Sequence, residues 1–207
     1  MNHNKQQHNL DQKFLNKISF LDSKQRETLI PPEVLISQMP IQREHTLLDI
    51  GAGTGFFTIP MAESTSGKVY ALDPDRRMLS VIESKAEEKG LKNIELVQNF
   101  LEDLNIQNES IDFTMASLIL HELSSLSDAL TKIYEMLKTD GHLLCLEYEK
   151  DDKIIEGPPM DIRIGSDKLE EALTICGFKI VKKTRINDAI YTILAVKEEE
   201  FINGKHK

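Results

Sequence analysis

Leu47-Leu48-Asp49-Ile50-Gly51-Ala52-Gly53-Thr54-Gly55 decides the fold. An apolar run ends in an acid, and three glycines follow at every second position. This pattern predicts a buried parallel strand, a tight turn and a helix beginning near Phe56. Such a turn brings bare backbone against a ligand at the carboxyl end of a strand, where open α/β sheets bind cofactors. A dinucleotide fingerprint needs a third glycine three places after the second. Here Phe56 stands at that place and Gly55 comes one residue early. Asp49, just before the glycines, also suits a cationic group better than a pyrophosphate. No Gly-Lys-Ser/Thr follows, which excludes a P-loop. The turn therefore points to a ligand bearing an amino group.

Composition narrows the class further. The 207 residues suit one domain with a sizeable core. With 34 acids against 25 Lys and Arg, the net charge is −9. Such a chain gains little from counterion release, so nucleic acid is a poor partner. No apolar run approaches the ~20 residues that span a bilayer. The polar start, Met1 to Leu10, lacks a signal-peptide core, so a cytoplasmic location is expected. Cys145 and Cys176 lie in apolar segments without a Cys-x-x-Cys pair. Both read as buried core residues, and no metal site is expected.

Along the chain, residues 1–12 read as disordered and 13–40 as a helical segment or lid. A core of 41–198 follows, and the charged tail after Glu198 reads as frayed. Strands are expected near 46–50, 68–72, 94–98, 110–117 and 142–147. The helix after the second strand carries Met78, Leu79, Ile82 and Ala86 at helical spacing and stops at Gly90. Leu126, Ala129, Leu130, Ile133, Met136 and Leu137 form a second such stripe. Lys150 to Gly165 reads as a polar, flexible insertion, and Ser166 as the cap of the next helix. Asn187-Asp188 joins two last strands in a hairpin. Alternation of strands and helices implies a parallel sheet covered on both faces, with one antiparallel strand added by the hairpin.

Asp73 ends the second strand, 22 positions after Gly51. A carboxylate there can accept both ribose hydroxyls of an adenosine. With the glycine turn, it argues for an adenosine-type ligand.

At this point the chain resembles a class I S-adenosylmethionine-dependent methyltransferase. It is most similar to small stand-alone bacterial members of the ubiquinone and menaquinone biosynthesis group, the methyltransferase type 11 domain. The glycine turn carries the resemblance, with Ala71-Leu72-Asp73-Pro74 and Met78-Leu79. Ile111-Asp112-Phe113, Leu120-His121-Glu122-Leu123 and Met136-Leu137-Lys138-Thr139-Asp140-Gly141 extend it. The implied fold is Rossmann-like: α/β, doubly wound, a mostly parallel seven-stranded sheet with a C-terminal antiparallel hairpin. The implied cofactor is S-adenosyl-L-methionine, and the implied acceptor a small molecule. By resemblance, Asp49 and the backbone of Gly51, Ala52, Gly53, Thr54, Gly55 and Phe56 hold the methionine end. Asp73 takes the ribose, and Pro74 and Met78 flank adenine. Asn99, Phe100 and Leu101 cradle adenine, and Ser117 and Leu118 lie beneath the methionine. Phe100 departs from the polar or acidic residue many relatives carry there.

Methyl transfer needs alignment of the nucleophile, and deprotonation when the acceptor is a phenol, enol, amine or thiol. His121, past the fourth strand, is the candidate general base, with Glu122 beside it. Alternatively, His121 caps the next helix or lines the pocket. Glu147 and Tyr148 are expected to face the crevice, as acceptor contacts or as ordinary strand-end polar residues. Arg163 reads as an anion contact or a solvated surface arginine. The apolar stretch Phe14 to Leu21 either folds over the cofactor or packs on outer helices. Three rival functions stay open: a macromolecular methyltransferase, a silent cofactor-binding protein, and a nicotinamide dehydrogenase. Missing Asn-Pro-Pro-Tyr and basic-surface signals disfavour the first, and the glycine spacing disfavours the last.

Overall fold

A computed structural model describes residues 2–198, with side chains from residue 12 onward. Seven strands form one sheet: β1 (Leu47–Ile50), β2 (Val69–Leu72), β3 (Ile94–Val97), β4 (Ile111–Ser117), β5 (Leu137–Tyr148), β6 (Phe178–Arg185) and β7 (Ile190–Lys197). Their order is β3-β2-β1-β4-β5-β7-β6. The first five are parallel; β7 runs antiparallel to β5, and β6 antiparallel to β7. The order reverses between β1 and β4, so a crevice opens outside their carboxyl ends.

All four residues of β1 are buried, as a central parallel strand requires. Leu48 and Ile50 face a core completed by α6 (Leu126–Met136) and α7 (Ser166–Ile175). Leu47 faces the opposite core, with Ile36 of α3 (Pro32–Ser37) and Met61 of α4 (Thr58–Ser64). By the same alternation Asp49 shares the face of Leu47, an acid among apolar neighbours. The Met78, Leu79, Ile82 and Ala86 stripe is the buried side of α5 (Arg76–Lys89). Asp75 caps that helix and Gly90 ends it in the left-handed conformation.

Helix α1 spans Asn2–Leu21. Three expectations are corrected. The fifth strand starts at Leu137, not at His142, because Ile111 already pairs with Leu137. A register shift then absorbs Asp140, at φ 62°, and Gly141. Gly165, not Ser166, precedes α7, and the Ser166 backbone N–H instead donates to Glu149 Oε1 at 2.9 Å. Cys145 is buried as expected, but Cys176 is only half-buried, at the end of α7. The tail expected to fray lies outside the described residues. Among the described residues, no helix is long and apolar enough to cross a membrane.

Candidate active site

The glycine turn follows β1 directly. Gly51, Gly53 and Gly55 have φ of 68°, 53° and 84°, values that favour glycine. At Gly51 a Cβ would also meet Ile119 Cγ1 at 2.7 Å. The turn and the loop leaving β4 are therefore in contact. Asp73 ties the turn to β2, accepting the Gly53 N–H at 2.9 Å on one oxygen. Its other oxygen accepts the Asp75 N–H at 2.8 Å. Each carboxylate oxygen retains acceptor capacity for a hydroxyl.

Asp49 is buried and accepts from Thr58 Oγ1 at 2.6 Å. Burial pushes its pKa up to about 7, and the Asp73 charge adds to that; Thr58 and the Arg26 charge pull it back. Arg26 belongs to α2 (Lys24–Leu29), which Ser23 caps. Its guanidinium lies 4.0 Å from the centre of the Phe56 ring and donates to the Leu21 carbonyl at 3.0 Å. Burial holds the Arg26 pKa below the ordinary arginine range, against the opposing charges of Asp49 and Asp22. The opposite charges of Asp49 and Arg26 thus influence one another beside the turn.

The end of α1 covers this turn. Asp22 Oδ1 accepts from Thr54 Oγ1 at 2.6 Å, and both Asp22 oxygens pair with Lys85 Nζ at 2.9 Å. Lys85 also donates to the Thr54 carbonyl. Leu21 Cδ1 lies 3.6 Å from where a Gly53 Cβ would stand. The Phe14 ring receives the Arg77 guanidinium at 4.3 Å. Phe14 to Leu21 thus touches both the outer helix α5, through Phe14, and the glycine turn, through Leu21.

On the far side of the crevice, a short 3-10 helix, Leu120–Glu122, carries His121. Its Nδ1 lies 2.7 Å from Glu147 Oε2, and Glu147 Oε1 accepts the Leu120 N–H at 2.9 Å. The two side chains are 5% and 1% exposed. Glu122 is largely exposed, with Oε1 4.0 Å from His121 Nε2. Glu147, expected at the crevice as an acceptor contact or an ordinary strand-end residue, is buried with both oxygens engaged, by the Leu120 N–H and by His121. His121 does not cap the next helix, because Ser125 does.

Other site residues divide. Phe100 is 60% exposed in the loop after β3, where Asn99 Oδ1 accepts its N–H. Asn99 Nδ2 donates to the Asp103 carbonyl, while Leu101 is buried in the core. Pro74 is exposed beside Asp73. Met78, expected beside adenine, is buried at 1% exposure on the core side of α5. Leu118 takes φ 55° as the chain leaves β4. Ser117 Oγ is buried without a hydrogen-bond partner among the described residues.

Arg163 is neither a surface group nor an anion contact. It is buried and donates to the carbonyls of Pro158, Glu149, Ile154 and Glu156. The segment after β5 therefore wraps a buried cation. Gly157, at φ 97°, lies where a Cβ would fall 2.7 Å from the Tyr148 ring. The pin and that close contact hold the segment against Tyr148, contrary to the flexible insertion expected. Arg26 and the Arg163 pin were missed by sequence reasoning. Arg26 gave no local signal, since it shares the short helix α2 with Lys24 and lies 25 residues before Gly51.

The donor set fits an adenosyl amino acid. Asp49 offers a carboxylate for an ammonium, Arg26 a cation for a carboxylate, and Asp73 acceptors for vicinal hydroxyls. Gly53 leaves bare backbone between them, and the buried Ser117 hydroxyl has no hydrogen-bond partner among the described residues.

Residues 48–145 match the family model described as a methyltransferase domain. A demethylmenaquinone methyltransferase of Geobacillus sp. (strain WCH70) is 30% identical over 117 residues, covering 56% of this chain and 50% of that protein. The chain spans about half the length of the curated relatives it matches. A SAM-dependent methyltransferase structure from Aquifex aeolicus superposes with TM-score 0.80 at 24% identity, covering 88% of this chain and 97% of that one. The 1,6-didemethyltoxoflavin-N1-methyltransferase of Burkholderia thailandensis, solved with bound S-adenosylhomocysteine, gives TM-score 0.70 at 20% identity. It covers 95% of this chain and 90% of that one. The match to the methyltransferase domain model thus covers just under half of the chain, and the solved structures share its fold over most of its length.

Proposed function

We propose that the protein transfers a methyl group from S-adenosylmethionine to a small-molecule acceptor. The observation that carries this reading is the charge arrangement at the glycine turn: Asp49 and Arg26 on one side, Asp73 on the other. The cofactor supplies a methyl group already activated on a sulfonium. Asp49 and Arg26 hold the two charges of its amino acid end, and Asp73 holds the ribose. The turn leaves no side chain between them. Alignment of the acceptor for in-line attack then supplies much of the acceleration. A small acceptor is supported by the covering α1, the Arg163-pinned segment and the acidic net charge of −9. The curated relatives named demethylmenaquinone methyltransferases support an aromatic, quinone-like molecule.

Calorimetry tests the assignment. S-adenosylmethionine or S-adenosylhomocysteine is expected to bind and NADH to give no heat; the reverse result would sink it.

Asp49 makes the affinity depend on pH. In the free protein its carboxyl titrates near 7. An ammonium beside it lowers that value, so binding releases a proton wherever Asp49 starts protonated. Affinity is expected to fall as pH drops below about 7, by up to roughly tenfold per unit. Titrations at pH 6 in buffers of different ionisation enthalpy check this. Proton release should disappear in Asp49→Asn, and wild-type binding without release would remove Asp49 from the ammonium site.

A further inference from the structure

We propose that Glu147 is a positioning residue that holds His121 as its Nδ1–H tautomer, so that Nε2 takes a proton from a weakly acidic acceptor hydroxyl, phenolic or enolic. This rests on the methyltransferase reading and deepens it.

The geometry leaves His121 little choice. Glu147 is buried with Oε1 occupied by the Leu120 N–H, so the carboxylate cannot swing away. Oε2 lies 2.7 Å from Nδ1, and an ionised carboxylate only accepts hydrogen bonds. Nδ1 therefore carries the proton, and the lone pair of a neutral imidazole falls on Nε2. Nε2 is on the side of Glu122, whose carboxylate is 4.0 Å away and largely exposed. The imidazole itself is nearly buried. A buried carboxylate–imidazole pair with one nitrogen committed is an arrangement for proton acceptance at the other.

The surrounding charges agree in sign. Burial alone would lower the His121 pKa, but the hydrogen bond and charge of Glu147, with the charge of Glu122, raise it above its ordinary value. Behind Glu147 stand Cys145 of β5 and Tyr191 of β7. Burial, with the Glu147 charge adding, pushes both up, so they stay neutral near pH 7. The negative charge at the site thus belongs to Glu147 and Glu122 and stabilises an imidazolium.

In the step, the acceptor oxygen forms a bond to the methyl carbon as the carbon–sulfur bond breaks. That electron pair passes to sulfur, which leaves as a neutral thioether. The hydroxyl proton goes to Nε2, and the resulting imidazolium later gives it to water. A carboxylate, or a tertiary amine in its unprotonated form, attacks without losing a proton and would make the buried pair superfluous. A hydroxyl acceptor uses it fully.

Two measurements on the intact protein test this. In ¹⁵N-histidine NMR of the S-adenosylhomocysteine complex, His121 is expected as the Nδ1–H tautomer, titrating above the ordinary value of about 6.5. Glu147→Gln should place the proton on Nε2 and lower the titration by a unit or more. A wild-type Nε2–H tautomer overturns the proposal, and so does an unchanged tautomer in Glu147→Gln. Should Glu147→Gln fail to fold, the wild-type tautomer alone decides. The second measurement uses methyl-labelled S-adenosylmethionine with catechol, and with benzoate and N,N-dimethylglycine for contrast. Catechol is expected to be labelled, with a rate that rises with pH through the His121 titration. His121→Ala and Glu147→Gln should each lose about a hundredfold or more while still binding cofactor. Label on benzoate or N,N-dimethylglycine but not on catechol overturns the acceptor class, as does no label on catechol by protein that binds cofactor. Failure to bind cofactor at all would instead overturn the methyltransferase reading.

Discussion

Asp73→Ala is expected to weaken S-adenosylmethionine binding by about a hundredfold. Hydrogen bonds to a charged group contribute roughly 1.5–3 kcal/mol each, and a tenfold change in affinity corresponds to about 1.4 kcal/mol. The ribose presents two hydroxyls to one carboxylate, so one such bond underestimates the loss. Asp73 also shapes the turn before any ligand arrives, because its Oδ2 holds the Gly53 N–H. Alanine frees that N–H, and the turn loses its tie to β2. Asp73→Asn keeps one carbonyl acceptor and should fall between the two. Calorimetric titration of the three proteins checks the order, and alanine binding as tightly as wild type would remove Asp73 from the site.

Arg163→Met is the corresponding test of the segment after β5. The guanidinium satisfies four carbonyls from inside the loop it organises. Methionine fills similar volume but donates nothing, so those carbonyls are stripped of their charged donor. Leaving buried polar groups unsatisfied costs about 1–3 kcal/mol each, and the loop can recover part of this by opening to water. A destabilisation of about 3 kcal/mol is expected, with rapid proteolytic nicking between Lys150 and Arg163. Chemical denaturation and limited proteolysis measure the two effects. A loop as resistant as wild type would show that Arg163 is not what orders it.

Much of the fold was legible because local and global signals agree. The buried run Leu47–Ile50, the glycines after it and the stripe on α5 all follow from periodicity and turn chemistry. The antiparallel hairpin was legible from Asn187-Asp188 between two β-prone runs. The misses are long-range. Ser166 looks like a cap, yet its N–H is claimed by Glu149, just past the end of β5. Asp140-Gly141 looks like a turn before a strand, yet the pairing of Leu137 with Ile111 carries the strand back past it. Arg163 reads as a surface cation because nothing local tells which carbonyls will curl around it. At the site, Asp49 and Asp73 announce themselves by their offset from the glycines. Glu147 was placed at the crevice, but its direction follows from contacts with Leu120 and His121 more than twenty residues away. Arg26 was overlooked because its neighbours Asp49 and Phe56 come from a different part of the chain.

The contact between Gly51 and Ile119 has a further consequence. Ile119 immediately precedes the 3-10 helix that carries His121, and its side chain occupies the space a Cβ on Gly51 would need. On the proposed function, the part of the molecule that grips one reactant and the part that prepares the other thus meet at a single contact. A change at the turn is expected to displace the imidazole, and a change beneath the imidazole to loosen the turn. Substitutions on the two sides will not combine as independent increments. Their departure from additivity measures how rigidly the two halves of the crevice are joined.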